Sequence, residues 1–189
     1  MLSPVQRLGA GARSAYLEHL VSLDAEDRRL RFAVPRSSAA IADYIERINF
    51  DSDVLFGVYG EALALDGAAH LAMGPEFAEL GVSVRRQARG KGIGGALMER
   101  ATEFARNRSI TRVSVYCLAE NLAMVRLARR KGMRVVVQSG DADAHIVLPS
   151  ATPRSVTSEF IADHVALLDY TLRTNVESWR RVAIAFAQR

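Results

Sequence analysis

Between Glu79 and Arg106 the sequence reads ELGVSVRRQARGKGIGGALMERATEFAR, an apolar run, four glycines among basic residues, and a helical pattern. Gly90, Gly92, Gly94 and Gly95 free the backbone to turn tightly, so that consecutive N–H groups can point at one anion. A helix beginning near Ile93 adds the positive end of its dipole at the same place. Arg85, Arg86, Arg89 and Lys91 surround the loop with positive charge, and no acidic residue interrupts the chain between Glu79 and Glu99. The expectation is strand, phosphate-binding loop and helix. Glu79, near the start of the strand, is a carboxylate placed to accept a proton.

Three kinds of phosphate loop share these features. A Walker loop requires Ser or Thr after Gly-Lys, but Lys91 is followed by Gly92. Gly90-x-Gly92-x-x-Gly95 matches the dinucleotide pattern, whose acidic ribose partner belongs about 20 residues on. Here the next strand, Arg112 to Leu118, leads only to Glu120, and the remaining chain is too short for a doubly wound sheet. A dinucleotide-dependent oxidoreductase is therefore a distant alternative. The third kind is a coenzyme A site, which suits a ligand of higher phosphate charge.

Gln87-Ala88-Arg89-Gly90-Lys91-Gly92 is similar to the Q/R-x-x-G-x-G/A motif of the GNAT superfamily of N-acetyltransferases. Asn121, Val125, Leu127, Gly132 and Met133 resemble that family's second acyl-CoA motif. AELGVSV and SLDAEDRRLRF resemble segments of bacterial protein-lysine acetyltransferase domains. The resemblance spans roughly residues 20 to 148. It implies acetyl-CoA as acyl donor, no metal, and direct attack of an amine on the thioester. The acceptor is a protein lysine or a small molecule.

It also implies site residues. Backbone N–H groups from Arg89 through Gly90, Lys91, Gly92, Ile93 and Gly94 to Gly95 would hold the pyrophosphate, with Arg85, Arg86 or Lys91 near the remaining phosphate. Val82 and Val84 would bind the pantetheine arm through their main chain where the strand splays from its parallel neighbour. A free N–H near Val84 would face the developing oxyanion, and Glu79 would be the catalytic base. Asn121 would cap its helix and touch the pantetheine arm. The chain departs from the pattern at Ala128, where many relatives have a tyrosine that protonates the leaving thiolate. A thiol of pKa about 8.5 leaves tolerably without help, and Tyr116 or water could substitute, although Tyr116 reads as a packed strand aromatic. The departure keeps open a non-catalytic acyl-CoA sensor. Cys117 reads as a buried apolar residue, and the four histidines lack metal-ligand spacing.

The elements that must position these residues follow the chain. Residues 1 to 10 are a loose end or an edge strand. Tyr16, Leu17, Leu20 and Leu23 have helical spacing; Asp24 caps a further helix to Phe32, and Ala39 to Ile48 is a third after Pro35. Apolar stretches Asp53–Tyr59, Ala62–Met73 and Glu76–Val84, divided by short turns, predict an antiparallel meander. Helix Ile93–Arg106, strand Arg112–Leu118, helix Asn121–Lys131 and a hairpin turning at Gly140-Asp141 complete a mixed α/β sheet with helices on its faces, the GNAT-like acyl-CoA N-acyltransferase fold. This gives an acetyltransferase domain over residues 1–150 and a helical extension over 151–189. In the extension Ile161, Val165, Leu168, Leu172, Val176, Trp179 and Val182 recur every three or four residues. That stripe covers the sheet's open side or makes a homodimer.

Hydrophobic residues at 49% and charged residues at 24% allow a substantial core. One cysteine excludes an internal disulfide. No apolar run suits a signal sequence or a membrane helix of roughly 20 residues, so the expectation is a soluble cytoplasmic protein without membrane partners. The charge of +4 is concentrated: nine of the 25 basic residues lie in 85–91 and 126–134, and without them the chain would stand at −5. Basicity confined to the cofactor motifs argues against nucleic acid.

Overall fold

The computed structural model describes the backbone of residues 3–187 and the side chains of residues 3–176, 178 and 179. In chain order the elements are β1 (Gln6–Leu8), α1 (Arg13–Ser22), α2 (Ala25–Phe32), α3 (Ser38–Glu46), β2 (Val54–Tyr59), β3 (Leu65–Met73) and β4 (Phe77–Val84). Then come α4 (Ile93–Arg106), β5 (Arg112–Leu118), α5 (Leu122–Arg130), β6 (Arg134–Gln138), β7 (Asp141–Val147) and α6 (Pro153–Ala187). Helix starts follow capping chemistry: Asp24, Ser37 and Asn121 accept the N–H groups of Asp27, Ala40 and Met124 at 2.8, 3.2 and 3.1 Å.

The seven strands form one sheet in the order β1-β2-β3-β4-β5-β7-β6. Short turns make β2 to β4 an antiparallel meander, β1 pairs antiparallel with β2 across the three intervening helices, and the α4 crossover makes β4 and β5 the parallel pair. The first residues supply an edge strand at Gln6–Leu8. Alternate strand residues feed two cores. Phe56, Leu71, Ala78, Leu80 and Val82 pack against Leu97, Met98, Ala101 and Phe104 of α4 and Ala128 of α5. On the opposite face Leu55, Leu65 and Ala68 pack against Tyr16 and Leu20 of α1 and Ile41 and Ile45 of α3.

Helix α6 departs from the covering role. It rests on α4 and the β1 edge with a small and polar face. Ser155, Glu159 and Ala166 are buried there, Arg100 pairs with Asp163 at 2.6 Å, Arg108 pairs with Glu159 at 2.8 Å, and Tyr170 meets Tyr59. The apolar stripe looks outward: Ile161, Val165, Leu168, Leu172, Val176 and Trp179 are 51–74% exposed. The side chain of Val182 lies outside the described residues.

Candidate active site

Ladder pairing between β4 and β5 covers only Phe77 with Arg112, Ala78 with Val113 and Glu79 with Ser114. Beyond Glu79 the strands part, and β5 continues paired with β7 alone. On its other edge β4 stays paired with β3 as far as Val84, and the Arg85 N–H reaches the Asp66 carbonyl at 2.8 Å. Because successive N–H groups of a strand alternate in direction, those of Val84 and Val82 point into the gap. The main-chain roles expected of these two residues therefore have the required geometry. Their side chains belong to the core, Val82 being 5% exposed.

The chain leaves β4 through a short turn and enters the glycine loop. Gly90 and Gly92 adopt φ of +76° and +83°, a region that disfavours any side chain. The first internal bond of α4 runs from the Ala96 N–H to the Gly92 carbonyl at 3.0 Å, so the N–H groups of Ile93, Gly94 and Gly95 have no helical partner. Three consecutive N–H groups left over at a helix N-terminus are suited to an anion. Arg89 differs from expectation, since its N–H already meets the Arg86 carbonyl at 3.3 Å.

The loop's charges are also less free than the local sequence implies. Helix α2 brings two acids to them: Asp24 pairs with Arg86 at 2.5 Å and Asp27 with Arg89 at 2.6 Å. The N–H of Asp27, and then the Arg86 and Arg89 charges, hold the Asp24 carboxyl below its ordinary pKa against a desolvation cost. Arg85 donates to Ser22 Oγ at 2.9 Å. Lys91 makes no ion pair among the described residues, and Arg130 of α5 joins the same cleft.

This cleft, about 420 Å³, runs from the loop to the gap between α2 and α5. Val82, Val84, Arg89, Gly90, Gly92, Ile93, Gly94, Gly95 and Asn121 line it, so most of the expected cofactor residues come together. Asn121 spends its amide on the Leu30 carbonyl at 3.3 Å and its oxygen on the α5 cap, tying α2 to α5 across the cleft. Leu30, Arg31 and Arg130 also line it and went unremarked in the sequence as site residues. The basic run ending α5 was the available signal for Arg130; nothing local pointed to Arg31.

Glu79 is exposed, on the α1/α2 face of the sheet, at the last paired position before the gap. Its partner Ser114 precedes Tyr116 by two residues, which places Tyr116 on the same face. Tyr116 is 61% exposed, not packed as the sequence suggested. Ala128 is fully buried. Cys117 is buried, and burial pushes its thiol pKa up.

The family model described as the acetyltransferase (GNAT) family matches residues 17–133, a segment that contains the loop, the gap and both flanking helices. The chain belongs to the GNAT acetyltransferase family. No curated protein matches it. Among solved structures it resembles the GNAT domain of S. lividans PAT, with a TM-score of 0.66 and 19% identity over 76% of this chain and 89% of that one. It is also similar to the ribosomal-protein-alanine N-acetyltransferase of Brucella melitensis, with a TM-score of 0.59 and 22% identity over 76% and 99%. Spermidine N-acetyltransferase from Vibrio cholerae, in complex with CoA and spermine, gives 0.60 and 17% over 76% and 94%. These likenesses show the GNAT fold, and α6 is an addition beyond the matched family segment.

Proposed function

We propose that this GNAT protein is an acetyl-CoA-dependent N-acetyltransferase that acts on a primary amine, of a protein lysine or a small molecule, by direct attack. The observation that carries this reading is the parting of β4 from β5 beyond Glu79, at the inner end of a cleft whose outer end is the glycine loop. A strand edge with unpaired N–H groups suits an extended amide-bearing arm, and leftover N–H groups at a helix start suit a pyrophosphate. Coenzyme A, when bound, supplies the activated thioester.

The residues then divide the work. The N–H groups from Gly90 to Gly95 hold the phosphates, with Lys91 and Arg130 adding charge. Val82 and Val84 align the arm, and the Val84 N–H faces the carbonyl oxygen where negative charge develops. Glu79, five residues and about 17 Å along the strand from Val84, takes the ammonium proton through a series of waters, so that a neutral amine can attack. Tyr116, exposed on the face shared with Glu79, replaces the tyrosine missing at Ala128. The buried Ala128, which offers no hydroxyl, favours one second reading: an acyl-CoA sensor without turnover.

One experiment tests both readings. Thermal unfolding is measured with acetyl-CoA, coenzyme A, NADPH and ATP, and turnover is measured over an amine panel for wild type and Glu79→Gln. A ligand at a hundred times its dissociation constant stabilises by about 2.7 kcal/mol. The expected result is a shift with both coenzyme A species only, turnover in wild type, and at least a roughly 100-fold loss in Glu79→Gln with binding kept. Near-normal turnover in Glu79→Gln removes its role as base. Binding without turnover identifies the sensor, and a shift with NADPH alone sinks both readings.

For assembly, we infer a homodimer through the outward face of α6. The described stripe from Ile161 to Trp179 runs about 28 Å along the helix, and the same face of a second copy would cover it.

A further inference from the structure

Arg31, in the last turn of α2, lines the inner part of the cleft with its charge unmatched. Its Nε is enclosed and has no hydrogen-bond partner. The hydrogen bond it makes is a long one, from Nη2 to Tyr44 Oη at 3.4 Å. Among the described residues no carboxylate pairs with it, and the acid nearest in sequence, Asp27, is engaged by Arg89. Tyr44 in turn donates to His70 Nδ1 at 2.5 Å, and His70 Nε2 donates to Asp53 at 3.2 Å, so the carboxylate of this hydrogen-bonded relay stands at its end far from Arg31. The Arg31 charge also helps burial keep His70 neutral, against the pull of Asp53.

The guanidinium lies directly over Gly81. A Cβ built there would come within 2.1–2.5 Å of Nη2, Cζ and Nη1, so β4 leaves room for this side chain by having none of its own. Gly81 is two residues past Glu79, on the same sheet face, at the open gap. It is also about 10 Å along the strand from Val84, away from the phosphate loop. A guanidinium offers five N–H donors in a planar fork that fits a carboxylate, and this one is half-buried with its Nε enclosed, stacked over the Phe32 ring but paired with no carboxylate among the described residues. The missing anion belongs at the inner end of the cleft, beside Gly81.

We propose that Arg31 anchors a carboxylate subsite, so that one of the two reactants carries a carboxylate. The inference rests on the acetyltransferase reading above. The carboxylate belongs either to the acceptor, as in a free amino acid, or to the acyl group of a dicarboxylic thioester. The chemistry is the same for both: Glu79 first takes one proton from the ammonium, the amine nitrogen then bonds to the carbonyl carbon, the C–S bond breaks, and the departing thiolate keeps the electron pair and takes the second proton that nitrogen gives up.

The test has two arms, each run on wild type, Arg31→Met, Arg31→Lys and Gly81→Ala. The first compares affinities for acetyl-CoA and succinyl-CoA; the second compares kcat/KM for a panel of L-amino acids and their carboxamides. The expected result is a preference of about tenfold or more for the carboxylate-bearing partner in one arm. Arg31→Met abolishes it, Arg31→Lys keeps part of it, and Gly81→Ala weakens it by pushing the guanidinium off the strand. Coenzyme A affinity stays unchanged throughout. Absence of a preference in both arms, or one that survives Arg31→Met, overturns the subsite while leaving the acetyltransferase reading intact. Failure of coenzyme A itself to bind overturns both.

Discussion

His19 is a residue whose environment fixes both its tautomer and its consequence for stability. It is fully buried, its Nδ1–H donates to the Leu65 carbonyl at 2.9 Å, and its Nε2 accepts from Ser83 Oγ at 2.9 Å. Both contacts are satisfied by neutral imidazole, and Ser83 lies on β4 beside the gap. Burial, with the Arg85 and Arg31 charges adding to it against the Leu65 carbonyl, lowers the His19 pKa to about 4. The unfolded chain therefore binds this proton more readily than the folded one. The stability that follows is fully present above the unfolded value of about 6.5 and is lost as pH falls toward 4. The expected loss is on the order of 3 kcal/mol. Urea unfolding of wild type and His19→Gln at pH 7.5 and 4.5 checks it: the variant starts less stable and shows a smaller drop. An equal drop in both would show that His19 does not titrate on unfolding.

At the scale of elements, the strand–loop–helix unit from Phe77 to Arg106 was legible because its determinants are local. Alternation, glycines and a 3.6-residue period all fall within thirty residues, and the predicted boundaries hold to within a residue or two. The parity that turns the Val82 and Val84 N–H groups into the gap follows from pairing that periodicity does not specify. The partners of the loop arginines were likewise invisible, because Asp24 and Asp27 reach them from about sixty residues upstream. Arg31 escaped notice for the same reason, since its meaning depends on Gly81 lying beneath it. The loop's own geometry gives a prediction. Gly92 sits at φ +83° with nothing within 4 Å of a built Cβ, so Gly92→Ala meets no neighbour and suffers only backbone strain. That strain is about 1–2 kcal/mol in folding. Relieving it turns the neighbouring N–H groups away, so coenzyme A affinity is expected to fall about tenfold or more. A stability loss with affinity within twofold of wild type would mean that these N–H groups do not hold the ligand.

At the scale of the whole molecule, α6 reverses the usual amphipathic arrangement. Its domain side is joined by ion pairs, Arg100 with Asp163 and Arg108 with Glu159, and by the small Ser155 and Ala166. Periodicity located the stripe but could not say which side of the helix the domain occupies, and the polar side won because α4 and the turn that follows it offer it arginines. Six large apolar side chains are left facing water, although each contributes about 1.5–3 kcal/mol when fully buried. The described stripe, about 28 Å by 10 Å, is a contiguous apolar patch of roughly 300 Å² on one copy, within the range of about 300–600 Å² at which a monomer's largest patch is often functional. Two copies packing α6 against α6 remove it from water symmetrically, with the same residues on both sides. The stripe residues Leu168, Leu172, Val176 and Trp179 lie away from the cleft, so assembly and ligand binding are separable. Sedimentation equilibrium is expected to give twice the 20.7 kDa chain mass at micromolar concentration. The double substitution Leu168→Glu, Leu172→Glu should give a folded monomer, because both positions are already exposed in one copy, where their i,i+4 repulsion costs only about 0.2–0.5 kcal/mol, whereas across a pair the four charges would meet in a desolvated interface. Its coenzyme A affinity should match wild type. A wild-type chain that stays monomeric at tens of micromolar, or a double variant that remains dimeric, would remove α6 from the interface.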